Sequence, residues 1–120
     1  MGPYERLLAW QACHRLALDI YRATAAWPAE ERYGLAAQAR RAAFSAAANI
    51  AEGSARRGSR EWRRFLDIAL GSIAELTYII RLARELGFLS DETATRLEDA
   101  RNKAGRLTWG LYARVSKARQ

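Results

Sequence analysis

Apolar residues recur along this chain at alternating spacings of three and four, the period of an amphipathic helix, and no stretch alternates as a strand would. Trp10, Cys13, Ala17, Ile20, Thr24 and Trp27 form the first seam, widened by Leu7, Leu16 and Tyr21. It predicts a helix over residues 5–26, ended by Trp27-Pro28 because proline disfavours helical geometry in the residue before it. The linker 28–34 has room for one short turn. The next helix, 35–55, is unusual: nine of the sixteen residues from Ala36 to Ala51 are alanine. Alanine favours helix, and its small side chain lets another backbone approach closely. One stripe of this segment reads Leu35, Gln38, Ala42, Ser45, Asn49, Glu52, with four polar residues where apolar ones are usual. Either the stripe faces water, or Ser45, Asn49 and Glu52 form a buried or half-buried cluster. In the second case they must be hydrogen-bonded, since unpaired burial costs roughly 1–3 kcal/mol each. Gly53 is placed to end the helix.

A third helix is predicted over 60–86, with Ser59 as N-cap and Gly87 closing it. It carries two apolar stripes: Trp62, Leu66, Ala69, Ile73, Leu76, Ile80, Ala83, and Phe65, Ile68, Ser72, Ile79, Leu82, Leu86, the latter interrupted at Glu75. That width exceeds what a bundle core needs from one helix and suggests a subunit interface; the alternative is central burial within the monomer. The fourth helix, 91–117, opens at Ser90 with Asp91 and Glu92 in its first turn. It ends among Arg114, Lys117 and Arg119, each sign suiting the adjacent pole of the helix dipole. Leu97, Ala100, Ala104, Leu107, Leu111 and Val115 supply its apolar side, and Trp109 and Tyr112 are read as covering the bundle's base. Four helices with short links predict an all-α protein, an antiparallel up-down four-helix bundle in a single domain over 1–120.

Composition narrows the setting. No apolar run reaches the length of a membrane span. The opening MGPYERLL has neither the features of a signal peptide nor, with Arg6 at position six, those of a myristoylation site. A single cysteine, Cys13, cannot form an internal disulfide and fits a reducing compartment. The expected location is cytoplasmic.

Charge changes the picture more. The formal net charge is +7, and 18 of the 20 basic residues are arginine. Between Arg32 and Arg64 eight arginines face only Glu52 and Glu61, so nearly all the excess lies in about a quarter of the chain. The competing explanation is arginine-biased codon usage on a solvated helix surface. Otherwise such asymmetry points to a polyanionic partner. Arg56, Arg57, Arg60, Arg63 and Arg64 fall on a turn and the start of a helix, where guanidinium forks can meet phosphates bidentately. Arg40 and Arg41 are added as further contacts. Trp62 lies among the arginines and could stack on a base, although its apolar stripe favours the core. With no recognition-helix signature, contact is expected to be salt-sensitive and weakly specific.

Catalysis finds little to work with. His14 is the only histidine, so a ferritin-like dimetal site is not available, and it reads as a surface residue. Cys13 lies on the helix-one seam and reads as core. No Walker A loop, nucleophile elbow or zinc spacing occurs. Glu52 and Glu75 are the carboxylates expected to be partly buried, in structural hydrogen bonds. No catalytic residue, metal or cofactor is expected.

Several of these residues together resemble a known family, small four-helix-bundle proteins encoded in intervening sequences of 23S ribosomal RNA genes. The resemblance rests on Pro28, Glu31, Tyr33-Gly34-Leu35, Gln38, Arg40-Arg41-Ala42, Ser45 and Asn49-Ile50-Ala51-Glu52-Gly53. It continues through Arg57, Ser59, Glu61, Phe65-Leu66, Ala69, Gly71-Ser72 and Glu75-Leu76, with Trp10-Gln11 and Ile20-Tyr21 upstream. It runs from about Tyr4 to Ser90, and Gly34, Gln38, Ser45, Asn49, Glu52 and Gly53 form its structural signature. The resemblance implies a cytoplasmic all-helical protein assembling as a ring, typically a homopentamer. The broader group includes accessory proteins of diversity-generating retroelements, which bind nucleic acid and a reverse transcriptase. The expected function is therefore non-enzymatic: a basic oligomeric protein that binds nucleic acid, RNA or a ribonucleoprotein being favoured. The alternative is an oligomeric scaffold or adaptor for an acidic protein such as a reverse transcriptase.

Overall fold

Four helices carry most of the chain in a computed structural model that describes residues 2–118. They are α1 (Leu8–Thr24), α2 (Leu35–Ser54), α3 (Ser59–Glu85) and α4 (Asp91–Ala118), with short 3-10 turns at Pro3–Arg6 and Ala29–Glu31. Arg119 lies outside the described residues. Each helix packs against its sequence neighbours and α4 closes against α1, while the diagonal helices stand farther apart across the core. The result is the antiparallel up-down bundle, 47 × 23 × 22 Å. No helix among the described residues is long and apolar enough to cross a membrane.

The boundaries differ from expectation where local chemistry intervenes. Leu7 adopts extended backbone, φ −74° and ψ 124°, so the first turn separates from α1. At the other end α1 stops at Thr24, whose hydroxyl donates to the Ile20 carbonyl at 2.8 Å. Ala26 and Trp27 continue only as turns that bond three residues back, as the extended geometry demanded before Pro28 requires. The single turn expected in the linker is present. Ser90 does cap α4, its Oγ accepting from the Thr93 amide at 3.1 Å. Gly87, at φ 82°, closes α3 as expected, with the Phe88 amide bonded to the Ala83 carbonyl at 2.8 Å.

Two glycines shape the connection between α2 and α3. Ser59 is the first residue of α3 rather than its cap; Gly58 occupies that position at φ 82°, which glycine adopts without strain. Gly53 does not end α2 but lies buried within its last turn. A Cβ there would stand 2.7 Å from Phe65 Cβ and 2.7 Å from Trp62 Cε3. The glycine is required by closeness, not by backbone conformation.

That closeness runs the length of α2. Its inward face is Ala36, Ala39, Ala43, Ala46 and Ile50, all buried, with Ala42 and Ala47 beside them. Larger residues fill the space these leave: Leu16 and Ile20 from α1 and Leu66, Ile73, Leu76 and Ile80 from α3, none more than 2% exposed. Small against large is how a bundle reaches the packing density of a protein interior. The first stripe of α3 faces the core as expected. In the second, Phe65 and Ile79 are buried within the chain and Ser72 reaches α2, whereas Ile68 and Leu86 are exposed. Much of the width that suggested a subunit interface is therefore used inside the monomer.

Gly53→Ala is expected to destabilise the bundle by about 1–3 kcal/mol in urea unfolding, because the added carbon overpacks the α2–α3 contact. Gly71→Ala, where a Cβ meets nothing within 4 Å, is expected to be neutral or to stabilise α3 by up to about 1 kcal/mol. Equal effects at the two sites would contradict the close approach.

Candidate nucleic-acid interface

The arginine cluster is built by the α2–α3 turn. With Trp62 and Phe65 packed against Gly53, Arg60 and Arg64 on the opening of α3 are exposed and Arg63 is half-buried. Five arginines occupy that turn and the first turns of α3, and their surroundings divide them. Arg56 donates to Glu52 Oε1 at 2.7 Å, and Arg64 lies 3.3 Å from Glu61 Oε2. Both guanidiniums also stand over the Phe65 ring, at 5.0 and 4.8 Å from its centroid, a cation–π arrangement that holds them beside the fold. Arg57, Arg60 and Arg63 have no carboxylate partner among the described residues. Arg63 Nε donates to the Ser59 carbonyl at 3.4 Å, which leaves its terminal nitrogens for other acceptors. The helix dipole at the start of α3 adds positive potential.

Arg60, Arg63 and Arg64 line a depression of about 590 Å³ together with Glu61, Asp67 and, from α4, Tyr112. Sequence reasoning missed Asp67 and Tyr112 as members. The signal was present in the antiparallel order, which returns the end of α4 beside the start of α3. Trp62, considered for base stacking, is half-buried against Gly53 and committed to the fold. Trp109 does not cover the bundle's base: it is exposed and stacked on Tyr112.

Arg40 and Arg41 are not brought to this cluster. They precede Arg56 by about 24 Å along the helix axis at 1.5 Å per residue. Arg40 bonds to Thr24 Oγ1 at 2.8 Å and to the Tyr21 carbonyl at 3.3 Å, and its guanidinium covers the Tyr21 ring. It ties the end of α1 to α2, while Arg41 is exposed.

The polar stripe of α2 is also divided. Asn49 Nδ2 donates to the carbonyl and hydroxyl of Ser45 at 2.8 and 3.0 Å, and Ser72 Oγ of α3 donates to Ser45 Oγ at 2.9 Å. This half-buried trio crosses between the helices. Glu52 stands outside it, exposed and paired with Arg56, and Gln38 and Glu75 are exposed as well. The expectation of partly buried Glu52 and Glu75 is thus corrected, since both positions turn outward. Gly34 lets the Glu31 carboxylate reach back: Oε1 accepts from the Leu35 amide at 2.9 Å, and a Cβ on Gly34 would stand 2.8 Å from that oxygen.

Cys13 is fully buried, 3.5 Å from Thr108 Oγ1. Burial pushes its thiol up to about 11, only partly opposed by that hydrogen bond, so it is held as an unreactive core group at neutral pH. His14 is exposed and stacked on Trp10 at 4.7 Å. Among the described residues no three His, Cys, Asp or Glu side chains meet as a metal site.

Residues 5–110 match the family model described as 23S rRNA-intervening sequence protein. A search of curated protein sequences returned no match.

Ser45→Ala removes the oxygen that both Asn49 and Ser72 use and is expected to cost about 1–2 kcal/mol in urea unfolding. Gln38→Ala, on the same stripe but exposed, is expected to change stability by less than about 0.5 kcal/mol. Comparable costs would show that the trio does not hold the helices.

Proposed function

The chain belongs to the 23S rRNA-intervening sequence protein family, and from that membership and its arginine-rich turn we propose that it is a non-enzymatic RNA-binding protein. The family's name associates it with ribosomal RNA. The single observation that carries the proposal is that Arg57, Arg60 and Arg63 sit on the α2–α3 turn and the first turns of α3, exposed or half-buried, without carboxylate partners among the described residues. Guanidiniums left unneutralised attract polyanions, and their planar forks match phosphate oxygens. Arg56 and Arg64, already paired and stacked on Phe65, shape the patch and contribute less charge to it. Contact through a few phosphates is weak in one copy, so assembly into a ring would raise the affinity through avidity. Exposed Phe44, Tyr78 and Leu86 support association between copies.

Salt dependence tests this reading. Anisotropy titration of a labelled, structured RNA is expected to give a falling log K against log salt, with a slope of about −2.7 to −3.6 for three or four phosphate contacts. The combined Arg57→Glu, Arg60→Glu and Arg63→Glu variant is expected to bind at least about tenfold more weakly with a shallower slope. Binding indifferent to salt, or unchanged in that variant, would overturn the proposal.

A further inference from the structure

Beside the arginine turn, α4 presents an aromatic pair of which Tyr112 packs against the core and Trp109 stands outside it. Trp109 and Tyr112 stand one helical turn apart, their ring centroids separated by 5.5 Å at an interplanar angle of 18°. Tyr112 is half-buried and lines the depression with Arg60, Arg63 and Arg64. Trp109 is 60% exposed. An exposed indole gains by being covered, and this one is pre-oriented by the tyrosine ring, so little side-chain entropy remains to be lost when a planar partner stacks on it.

The depression itself mixes signs. Glu61 is paired with Arg64, whereas Asp67 has no cationic partner among the described residues. A groove for phosphates alone is weakened by a free carboxylate. A base edge carrying amino groups is not, because a carboxylate accepts their hydrogen bonds. Guanidiniums for the backbone, a carboxylate for a base edge and an indole for a base face together match an unpaired nucleotide. In a duplex the base faces are stacked on one another and unavailable.

Resting on the RNA-binding reading of the turn, we infer that Trp109, Tyr112 and Asp67, with Arg60 and Arg63, form a subsite for an unpaired nucleotide and direct the protein to single-stranded RNA. The arginines supply affinity that any RNA can use. The aromatic pair supplies the preference for single strands.

The test compares wild type, Trp109→Ala and Trp109→Phe on a single-stranded RNA and on a duplex RNA of equal length, with oligomer mass measured in parallel by light scattering. Trp109→Ala keeps a strong helix former at an exposed position and is expected to fold, as its circular dichroism melt will report. Stacking worth about 1–3 kcal/mol per base predicts a loss of at least about fivefold on the single strand. The duplex is expected to change by less than about twofold, with the salt slope unaltered. Trp109→Phe is expected to recover most of the loss. An unchanged affinity for single strands, an equal loss on both RNAs, or a shift in oligomer mass accompanying the loss would overturn the subsite, the last by assigning Trp109 to a contact between copies. If the combined arginine variant abolishes binding while Trp109→Ala has no effect, the arginine reading stands and the subsite falls. Wild type binding neither RNA removes both.

Discussion

The close approach of α2 to its neighbours is the constraint on which the other features depend. A helix whose inward face is Ala36, Ala39, Ala43 and Ala46 contributes little apolar area of its own. It gains stability by letting the larger side chains of α1 and α3 settle against its backbone. At Gly53 the approach is so close that even a methyl group would collide with Trp62 and Phe65. Dispersion falls off steeply with separation, so a small loss of contact along this face weakens the whole bundle.

From that approach the polar chemistry follows. Because α2 and α3 lie close, Ser45 and Ser72 come within 2.9 Å, and a stripe that would otherwise face water becomes a hydrogen-bonded trio between helices. Fixing Trp62 and Phe65 also aims the arginines. Phe65 receives Arg56 and Arg64 at its ring, while the intervening Arg57 and Arg60 are left exposed and Arg63 half-buried without a carboxylate partner among the described residues. The antiparallel order then returns Tyr112 to the same place. The residues that hold the bundle and those proposed to meet RNA are therefore adjacent but distinct.

Arg40 illustrates how one residue type serves both ends differently. Sequence counts it with the arginine excess, yet it bonds the end of α1 and covers Tyr21. Its local sequence places it in a helix but does not say that it will be tied down. What does is whether acceptors and an aromatic ring wait across the helix boundary, and those are supplied by a different segment of the chain.

By itself the sequence determined the helical class, the number and order of the helices and the concentration of arginine near the α2–α3 turn. These follow from periodicity, helix-stop chemistry and residue type, which act over a few neighbouring positions. It was also sufficient to read His14 as a surface residue and Cys13 as core. Only the tertiary structure decided that Gly53 serves closeness rather than helix ending, and that Glu52 leaves the Ser45–Asn49 cluster for Arg56. It alone decided that Trp109 faces outward and that Tyr112 and Asp67 join the arginines. Each of these depends on how far apart two helices lie and how each is rotated about its axis. A change of about 100° per residue turns a core position into an exposed one, and that rotation is settled by packing across the bundle.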